Sequence, residues 1–273
     1  MTTAGQADAA YQGDPGAYSE QAAWALVGRE ARLLPCRTLV VMFDAVADGH
    51  AGLAVLPIEN SLAGTVPRAF ELLLERELFA SAETRVHIDH VLIGSPGTTV
   101  DRVSRVLSHP VALDQCRRFI TERRFEAVPA FDTAGAVAMA LEDTSGATAA
   151  IASRRAASLN NADILAENIQ DHAENWTRFL LVGPRPSGET KPGAHAILAF
   201  RLPHEPGSLA NVLGRIAARR ANMTKIESRP IEGRPFEYAF YLELQLAADD
   251  DALPALLADL ASATSELKLL GAY

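Results

Sequence analysis

The sequence predicts an α/β protein in two parts: a larger part in which strands and helices alternate, and a smaller part with the βαββαβ order of a ferredoxin-like domain. Three observations carry this reading. Gly183–Gly193 holds three prolines and three glycines, which no helix or central strand tolerates, so it reads as a linker over about 185–194. Before it, short apolar runs alternate with amphipathic stretches. After it, the period switches cleanly between 2 and 3.6 residues.

In the first part, Ala51–Ile58 is an apolar run suited to a buried parallel strand, and Val66–Leu78 places Phe70, Leu73, Leu74 and Leu78 on one helical face. Val86–Gly94 is strand-like. Asp101–Leu107 leads into a helical stretch around Cys116–Ile120, and Ala147–Ser153 and Thr177–Val182 read as further strands. In such sheets ligands bind beyond the carboxyl ends of strands, where helix N-termini point. In the second part, His195–Leu202 is a strand, and Gly207–Arg219 is a helix with Leu209, Val212, Leu213 and Ile216 at helical offsets. Met223–Ile231 and the alternating Phe236–Leu246 are strands, Asp250–Glu266 is a helix, and Leu267–Tyr273 closes the domain.

Composition narrows the function classes. A net charge of −9 argues against a nucleic-acid partner, which needs a basic face. No apolar run reaches the ~20 residues that span a bilayer, so no membrane is expected. The two cysteines, Cys36 and Cys116, have no paired spacing, which excludes a disulfide framework and gives no zinc signature. Met1–Ala10 has neither the basic start nor the apolar core of a signal peptide, and the expected compartment is the cytoplasm.

Four segments carry polar groups where a strand gives way to a helix, and a fifth carries them where a strand opens. Gly13–Gln21 places Ser19 as a cap for a helix from about Glu20, and reads either as a plain turn or as an anion-binding helix start. Its glycines lack the spacing of a dinucleotide fingerprint, so no cofactor is expected. Pro57–Val66 brings Glu59, Asn60, Ser61 and Thr65 to the end of a buried strand, more hydrogen-bonding groups than a structural turn needs. Ser108-His109-Pro110 followed by Gln115 starts a helix, with His109 a cap or a proton donor. Asp132–Ala136 has Thr133 as cap or ligand contact. Asn175-Trp176-Thr177-Arg178-Phe179 opens a strand and could equally be an edge strand. His87 and His90 fall on one strand facing opposite sides, so they share no metal, and no metal site is expected.

Together, and in this order, these motifs resemble the prephenate dehydratase family. Pro206-Gly207-Ser208-Leu209 and Thr224–Pro230 resemble the ACT regulatory domain that accompanies those enzymes. The resemblance runs from Ala9 to Tyr273. It implies a two-lobed, periplasmic-binding-protein-like catalytic domain over 9–184, with a second lobe at about 86–165. The chain would cross between lobes near Arg85 and Ala166, and the active site would lie in the cleft. An ACT domain would occupy 195–273. It further implies conversion of prephenate to phenylpyruvate without a cofactor. Thr177 corresponds to the threonine regarded as essential, Asn60 and Ser61 act beside it, and Ser19, Glu59, Thr65, Thr133, Arg178 and Phe179 contact substrate. Arg178 either binds a carboxylate or braces the strand through an ion pair. L-phenylalanine would bind at Gly207, Ser208 and Leu209 with Glu227, Ser228, Arg229 and Pro230, across an interface between copies, making the protein a dimer or tetramer. Many family members have threonine where this chain has Ala17. The chain starts close to Tyr11 and leaves no room for a fused mutase module, so a monofunctional enzyme is expected. Two other readings remain on the same scaffold: an arogenate dehydratase and a non-catalytic metabolite sensor.

Overall fold

A computed structural model describes residues 5–66, 68–186, 194–231, 233–246 and 252–273. The chain divides into two compact units. One comprises the chain up to Ala69 together with Thr84–Leu180, and the other comprises Phe70–Glu83 with Leu181–Tyr273. Residues 187–193 of the expected linker lie outside the described residues.

The first unit begins with β1 (Ala7–Gln12), α1 (Tyr18–Val27), β2 (Leu33–Cys36), α2 (Leu39–Ala47), β3 (Ala51–Asn60) and the short β4 (Gly64–Thr65). β1 pairs in parallel with both β2 and β3, with Gln12 opposite Cys36 and Tyr11 opposite Val55. The centre of β3 is solidly apolar and buried from Ala54 to Ile58, as a strand covered on both faces requires. α3 (Ala69–Glu75) is shorter than the helix expected over 66–78, and β5 (Phe79–His87) follows it.

The chain then leaves this sheet. The single strand expected over 86–94 is two strands, because Ile88–His90 carries the chain into a second sheet that opens with β6 (Val91–Gly94). His87 and His90 therefore do not share a strand. A 3-10 turn over Val100–Arg102 leads to β7 (Arg105–Ser108), α4 (Pro110–Gln115), α5 (Arg117–Arg123), β8 (Glu126–Pro129), α6 (Gly135–Leu141), β9 (Thr148–Ala152), α7 (Arg154–Leu159) and β10 (Asp163–Ala166). The helical stretch expected around Cys116 is two helices, with Cys116 at the break. The sheet order is β10-β6-β9-β7-β8, in which β7 is parallel to β8 and β9, while β6 is antiparallel to β9 and β10. One face packs Val137, Ala140 and Ala156, and the other packs Cys116 and Ile120. The chain returns through β11 (Trp176–Gly183), which lies beside β3 in the order β11-β3-β1-β2. Two sheets joined by two crossings give the two-lobed α/β architecture.

The second unit contains β12 (His195–Arg201), α8 (Ser208–Ala218), β13 (Asn222–Ile231), β14 (Arg234–Gln245), α9 (Ala252–Ala261) and β15 (Glu266–Ala272), the expected βαββαβ order. The strands are antiparallel in the order β13-β14-β12-β15, with Phe200 opposite Phe240 and the two rings stacked at 5.4 Å. Val212 and Ile216 of α8 and Leu256 and Leu260 of α9 pack with Leu198, Leu242 and Leu244 on one face of this sheet. β5 joins this unit at its edge, where Gly271 of β15 opposes Ala80.

Candidate active site

Between the two lobes of the first unit lies a cleft of about 620 Å³. Its walls come from the ends of strands and the loops after them: Gln12 and Gly13 after β1, Pro57 and Asn60 at the end of β3, His109 after β7, Asp132 and Thr133 after β8, and Thr177 and Phe179 on β11. Leu39, Val66, Ile88, Val111, Phe131 and Phe179 supply its apolar surface. No lysine or arginine is among the described residues that line it. Arg37 sits over the Phe131 ring, 5.7 Å from its centroid, and brings a cation to the rim.

Asn60 is the centre of the polar wall. Its side-chain oxygen accepts from the backbone N–H groups of Leu62 (3.0 Å) and Ala63 (2.9 Å), which identifies that atom as the oxygen. Its amide nitrogen must then donate. The acceptors are Asn175 Oδ1 at 2.8 Å, the Trp176 carbonyl at 3.2 Å and Thr177 Oγ1 at 3.0 Å. Thr177 thus receives a hydrogen bond from Asn60, and its own proton is left to point elsewhere. Gln115 Nε2 also donates to Asn60 Oδ1, at 3.3 Å, which turns Gln115 Oε1 toward His90 Nε2 at 3.0 Å. His90 therefore carries its proton on Nε2, and Nδ1 faces the Tyr18 hydroxyl at 3.4 Å. Tyr18 donates to the Asp89 carbonyl at 2.6 Å. The directions of the bonds from Asn60 through Gln115 to His90 follow from two backbone N–H groups just after β3.

Burial sets the protonation states. His90 is 2% exposed, and desolvation holds its pKa below the ordinary value despite the bond to Gln115. Burial likewise lowers His109, against the pull of Asp132. Burial first, and Asp89 second, push the Tyr18 hydroxyl well above its usual range. Both imidazoles are neutral and Tyr18 is protonated, so these three groups are neutral hydrogen-bonding partners, and Asp132 is the one acidic residue among the described lining. The Asn175 amide nitrogen is buried with no partner among the described residues, at a cost of ~1–3 kcal/mol.

The expected site residues divide. Asn60, Thr177, Ser19, Thr65, Thr133 and Phe179 line the cleft. Ser61, Glu59 and Arg178 are not on its wall. The Ser61 hydroxyl accepts from Trp176 N (2.9 Å) and the Ser61 N–H donates to the Trp176 carbonyl (2.8 Å), tying the end of β3 to the start of β11. Arg178 is 14% exposed at its side chain and pairs with Glu59 at 3.3 Å. Ser19 does not cap α1, which starts at Tyr18 with Ala17 in the N-cap position and no side-chain cap, so Ser19 sits inside the first turn. Nor does Thr133 cap α6. Ala134 holds its N-cap position with no side-chain cap, and Asp132, two residues earlier, accepts from Gly135 N at 2.5 Å. His109 accepts from Val111 N at 3.3 Å as the cap of α4. Tyr18, His90 and Gln115 were not among the expected site residues. Gln115 had one available signal, a polar residue closing a helix that opens with Ser-His-Pro.

In the second unit, Gly207, Ser208 and Leu209 border a cavity of about 980 Å³ at the start of α8. Gly207 has φ +85°, and a Cβ there would meet nothing within 4 Å, so backbone conformation and not crowding requires glycine. Glu227, Ser228, Arg229 and Pro230 lie along β13 and do not border this cavity. Glu227 bonds Arg229 (3.1 Å) and lies 3.6 Å from Lys225, and Arg229 lies 3.6 Å from Glu71. Of β13, Ile231, next to Pro230, is the residue that borders this cavity among the described lining.

A family model described as prephenate dehydratase matches residues 9–187. The chain is 39% identical over 270 residues to a bifunctional N-acyl-homoserine lactone acylase/prephenate dehydratase of Komagataeibacter europaeus, covering 97% of this chain and 94% of that one. It is 36% identical over 278 residues to arogenate dehydratase/prephenate dehydratase 2, chloroplastic, of Arabidopsis thaliana, covering 97% of this chain and 72% of that one. Among solved structures, the prephenate dehydratase of Arthrobacter aurescens in complex with L-Phe superposes with a TM-score of 0.87 at 30% identity, covering 97% of this chain and 90% of that one.

Proposed function

The chain belongs to the prephenate dehydratase family of carbon–oxygen lyases, and from that premise we propose that it converts prephenate to phenylpyruvate, carbon dioxide and water. The observation that carries the reading is the direction of the Asn60–Thr177 hydrogen bond. With its lone pair engaged by the Asn60 amide, Thr177 is a hydrogen-bond donor toward the cleft. Its hydroxyl is aimed at the ring oxygen that must leave. As the bond to the ring carboxylate breaks, its electron pair enters the ring. The C–O bond breaks on the far side, the ring becomes aromatic, and the departing hydroxide takes a proton to become water. The elimination is redox-neutral and uses no cofactor. Positioned proton donation contributes roughly 10²–10⁴-fold. Thr177 supplies it as a donor or relay, with Asn60 holding it in place and Ser61 securing the strand ends that carry both.

Ser19, Thr65 and Thr133 are the neutral donors for the substrate's carboxylates, and Phe179 keeps water from the ring carboxylate. A carboxylate about to leave as carbon dioxide is held back by a tight cationic partner and released by a less polar one. The cleft wall, apolar and without lysine or arginine among its described residues, suits that step. Glu59 and Arg178 act indirectly, by fixing neighbouring strands through their ion pair.

The domains are a catalytic domain over 9–184, a linker over 185–194 and an ACT regulatory domain over 195–273 that binds L-phenylalanine and inhibits the enzyme. Gly207–Leu209 of one copy and Glu227–Pro230 of a second form the effector site, which makes the protein a dimer or tetramer. The separation of these motifs within one chain supports a two-copy site. Two buried unpaired cysteines suit a reducing cytoplasm. A second reading, turnover of arogenate to phenylalanine, is favoured by the likeness to the Arabidopsis arogenate/prephenate dehydratase.

The deciding experiment incubates the purified protein separately with prephenate and with arogenate and identifies the products. Phenylpyruvate from prephenate, suppressed by added phenylalanine, is the expected result. Preferential turnover of arogenate makes the second reading correct, and binding without turnover of either substrate leaves only a metabolite sensor.

A further inference from the structure

Behind α1, away from the catalytic cleft, the first unit has another cavity of about 640 Å³. Tyr18 borders both, so one side chain separates them. Arg29, Arg85, Arg154 and Arg155 line this second cavity, and Asp89 is the one acidic residue among its described lining. For a chain of net charge −9 that is a local reversal of sign. The Asp89 carboxylate is itself engaged, 3.0 Å from His87 Nδ1 and 3.4 Å from Gln170 Nε2.

The arginines are placed, not merely gathered. Arg155 donates through Nε to Glu20 Oε2 at 2.6 Å and through Nη2 to Oε1 at 3.4 Å, and Glu20 is 6% exposed. The Arg155 guanidinium also lies over Trp24, 4.1 Å from the ring centroid. A buried carboxylate on one edge and an aromatic face beneath hold it rigid, while its remaining N–H groups are unspent. Arg154 engages Glu167 through Nη1 alone. Arg29 makes no hydrogen bond or ion pair among the described residues. The carboxylates that steady Arg154 and Arg155, those of Glu167 and Glu20, are not among the described residues of the cavity wall.

The wall draws on three parts of the unit: Arg29 follows α1 of the first lobe, Arg85 and His87 belong to the strand leading into the crossing, and Arg154 and Arg155 open α7 of the second lobe. We propose that this cavity is a second ligand site, for a small dianion bearing phosphate or two carboxylates, whose occupant links both lobes at their crossing. Planar guanidinium forks on several sides match such a group. An occupant bridging Arg29 and Arg154 resists any change in the angle between the lobes, and the cleft on the other side of Tyr18 is shaped by that angle.

The test is isothermal titration of the full chain with inorganic phosphate and, separately, with malonate at low ionic strength. Saturable binding of at least one probe is expected, weakened at least tenfold in an Arg29→Gln/Arg154→Gln variant that keeps the wild-type thermal transition. If the double variant does not fold, Arg29→Gln alone, at an exposed side chain, is expected to weaken binding severalfold. Two results overturn the proposal: neither probe saturates below ~10 mM, or the variant binds as the wild type does. Equal binding would put the anion elsewhere, including the catalytic cleft, which neither arginine lines.

Discussion

Replacing Asn60 by aspartate tests the proposed role of Thr177 with almost no change of shape. The side-chain oxygen that accepts from Leu62 N and Ala63 N is retained. The amide nitrogen becomes a second oxygen, facing Asn175 Oδ1 at 2.8 Å, the Trp176 carbonyl at 3.2 Å and Thr177 Oγ1 at 3.0 Å. Of these three partners, only Thr177 has a proton to give. Its hydroxyl therefore turns inward to the new carboxylate and away from the cleft, and the leaving oxygen loses its donor. That loss is worth roughly 10²–10⁴ in rate, or ~2.7–5.4 kcal/mol of barrier at 1.36 kcal/mol per tenfold.

The change should appear in kcat rather than KM, because the donor acts on charge that develops as the C–O bond breaks. Two carbonyl oxygens left facing a carboxylate also raise the pKa of the new group. Its protonation at lower pH returns one donor, so kcat of Asn60→Asp is expected to recover in part as pH falls. Thr177→Val should reduce kcat by a similar factor. Combining it with Asn60→Asp should add little, since both remove one interaction. Steady-state formation of phenylpyruvate from prephenate, followed across pH with circular dichroism to establish folding, measures all of this. A folded Asn60→Asp variant within tenfold of wild-type kcat, or a double variant whose losses multiply, would refute the argument.

Four further outcomes follow from the geometry. Gly16 has φ +97°, and a Cβ there would lie 2.8 Å from Ala156 Cα, so Gly16→Ala should lose about 2–4 kcal/mol in urea unfolding. Gly207→Ala, strained but uncrowded, should lose nearer ~1 kcal/mol. Burial holds the folded-state pKa of His90 below 6.5, so its contribution to stability is complete above pH 6.5 and is lost as pH falls from there toward the lowered value. The slope in that window is ~1.4 kcal/mol per pH unit, and His90→Gln should flatten this part of the stability–pH curve. Glu59→Gln should cost at most ~1 kcal/mol, because Glu59 is 37% exposed, and should leave KM for prephenate within a few-fold. A tenfold rise in KM would mean that Arg178 touches substrate after all.

Periodicity and turn residues made the interior of the fold legible. The buried strand at 54–58, the helix from Ser208 and the βαββαβ order all follow from local pattern. Several strands escaped that reading, among them β7 inside its sheet and β2 and β8 at sheet edges. β2 and β8 end their sheets and contain Pro35 and Pro129, which edge positions accept but which look like breaks in a sequence. The site divides along the same line. Asn60 and Thr177 announce themselves as polar residues flanking apolar strands. Tyr18, His90 and Gln115 do not, because each gains meaning only from partners distant in sequence, His90 from Tyr18 72 positions away and Gln115 from Asn60 55 positions away. Ser61 shows the opposite limit: residue type cannot separate a hydroxyl that meets substrate from one that ties β3 to β11.

The network also explains how a cleft with no lysine or arginine among its described lining can act on a dianion. A lysine or arginine in the cleft would hold the substrate more tightly, but it would stabilise the ring carboxylate most before that group leaves, which deepens the ground state without lowering the barrier. Fixed neutral dipoles avoid this. They were oriented when the protein folded, by Leu62 N and Ala63 N acting on Asn60, and need no rearrangement as charge moves from carboxylate to departing oxygen. A cation stands at the rim, where Arg37 lies over Phe131 and adds an attractive field at the entrance. Attraction at the mouth and neutrality at the reacting bonds divide binding from catalysis. The division depends on His90 remaining uncharged: an imidazolium beside Gln115 would place a positive charge two hydrogen bonds from Asn60. Burial of His90 is thus part of the chemistry as well as of the core.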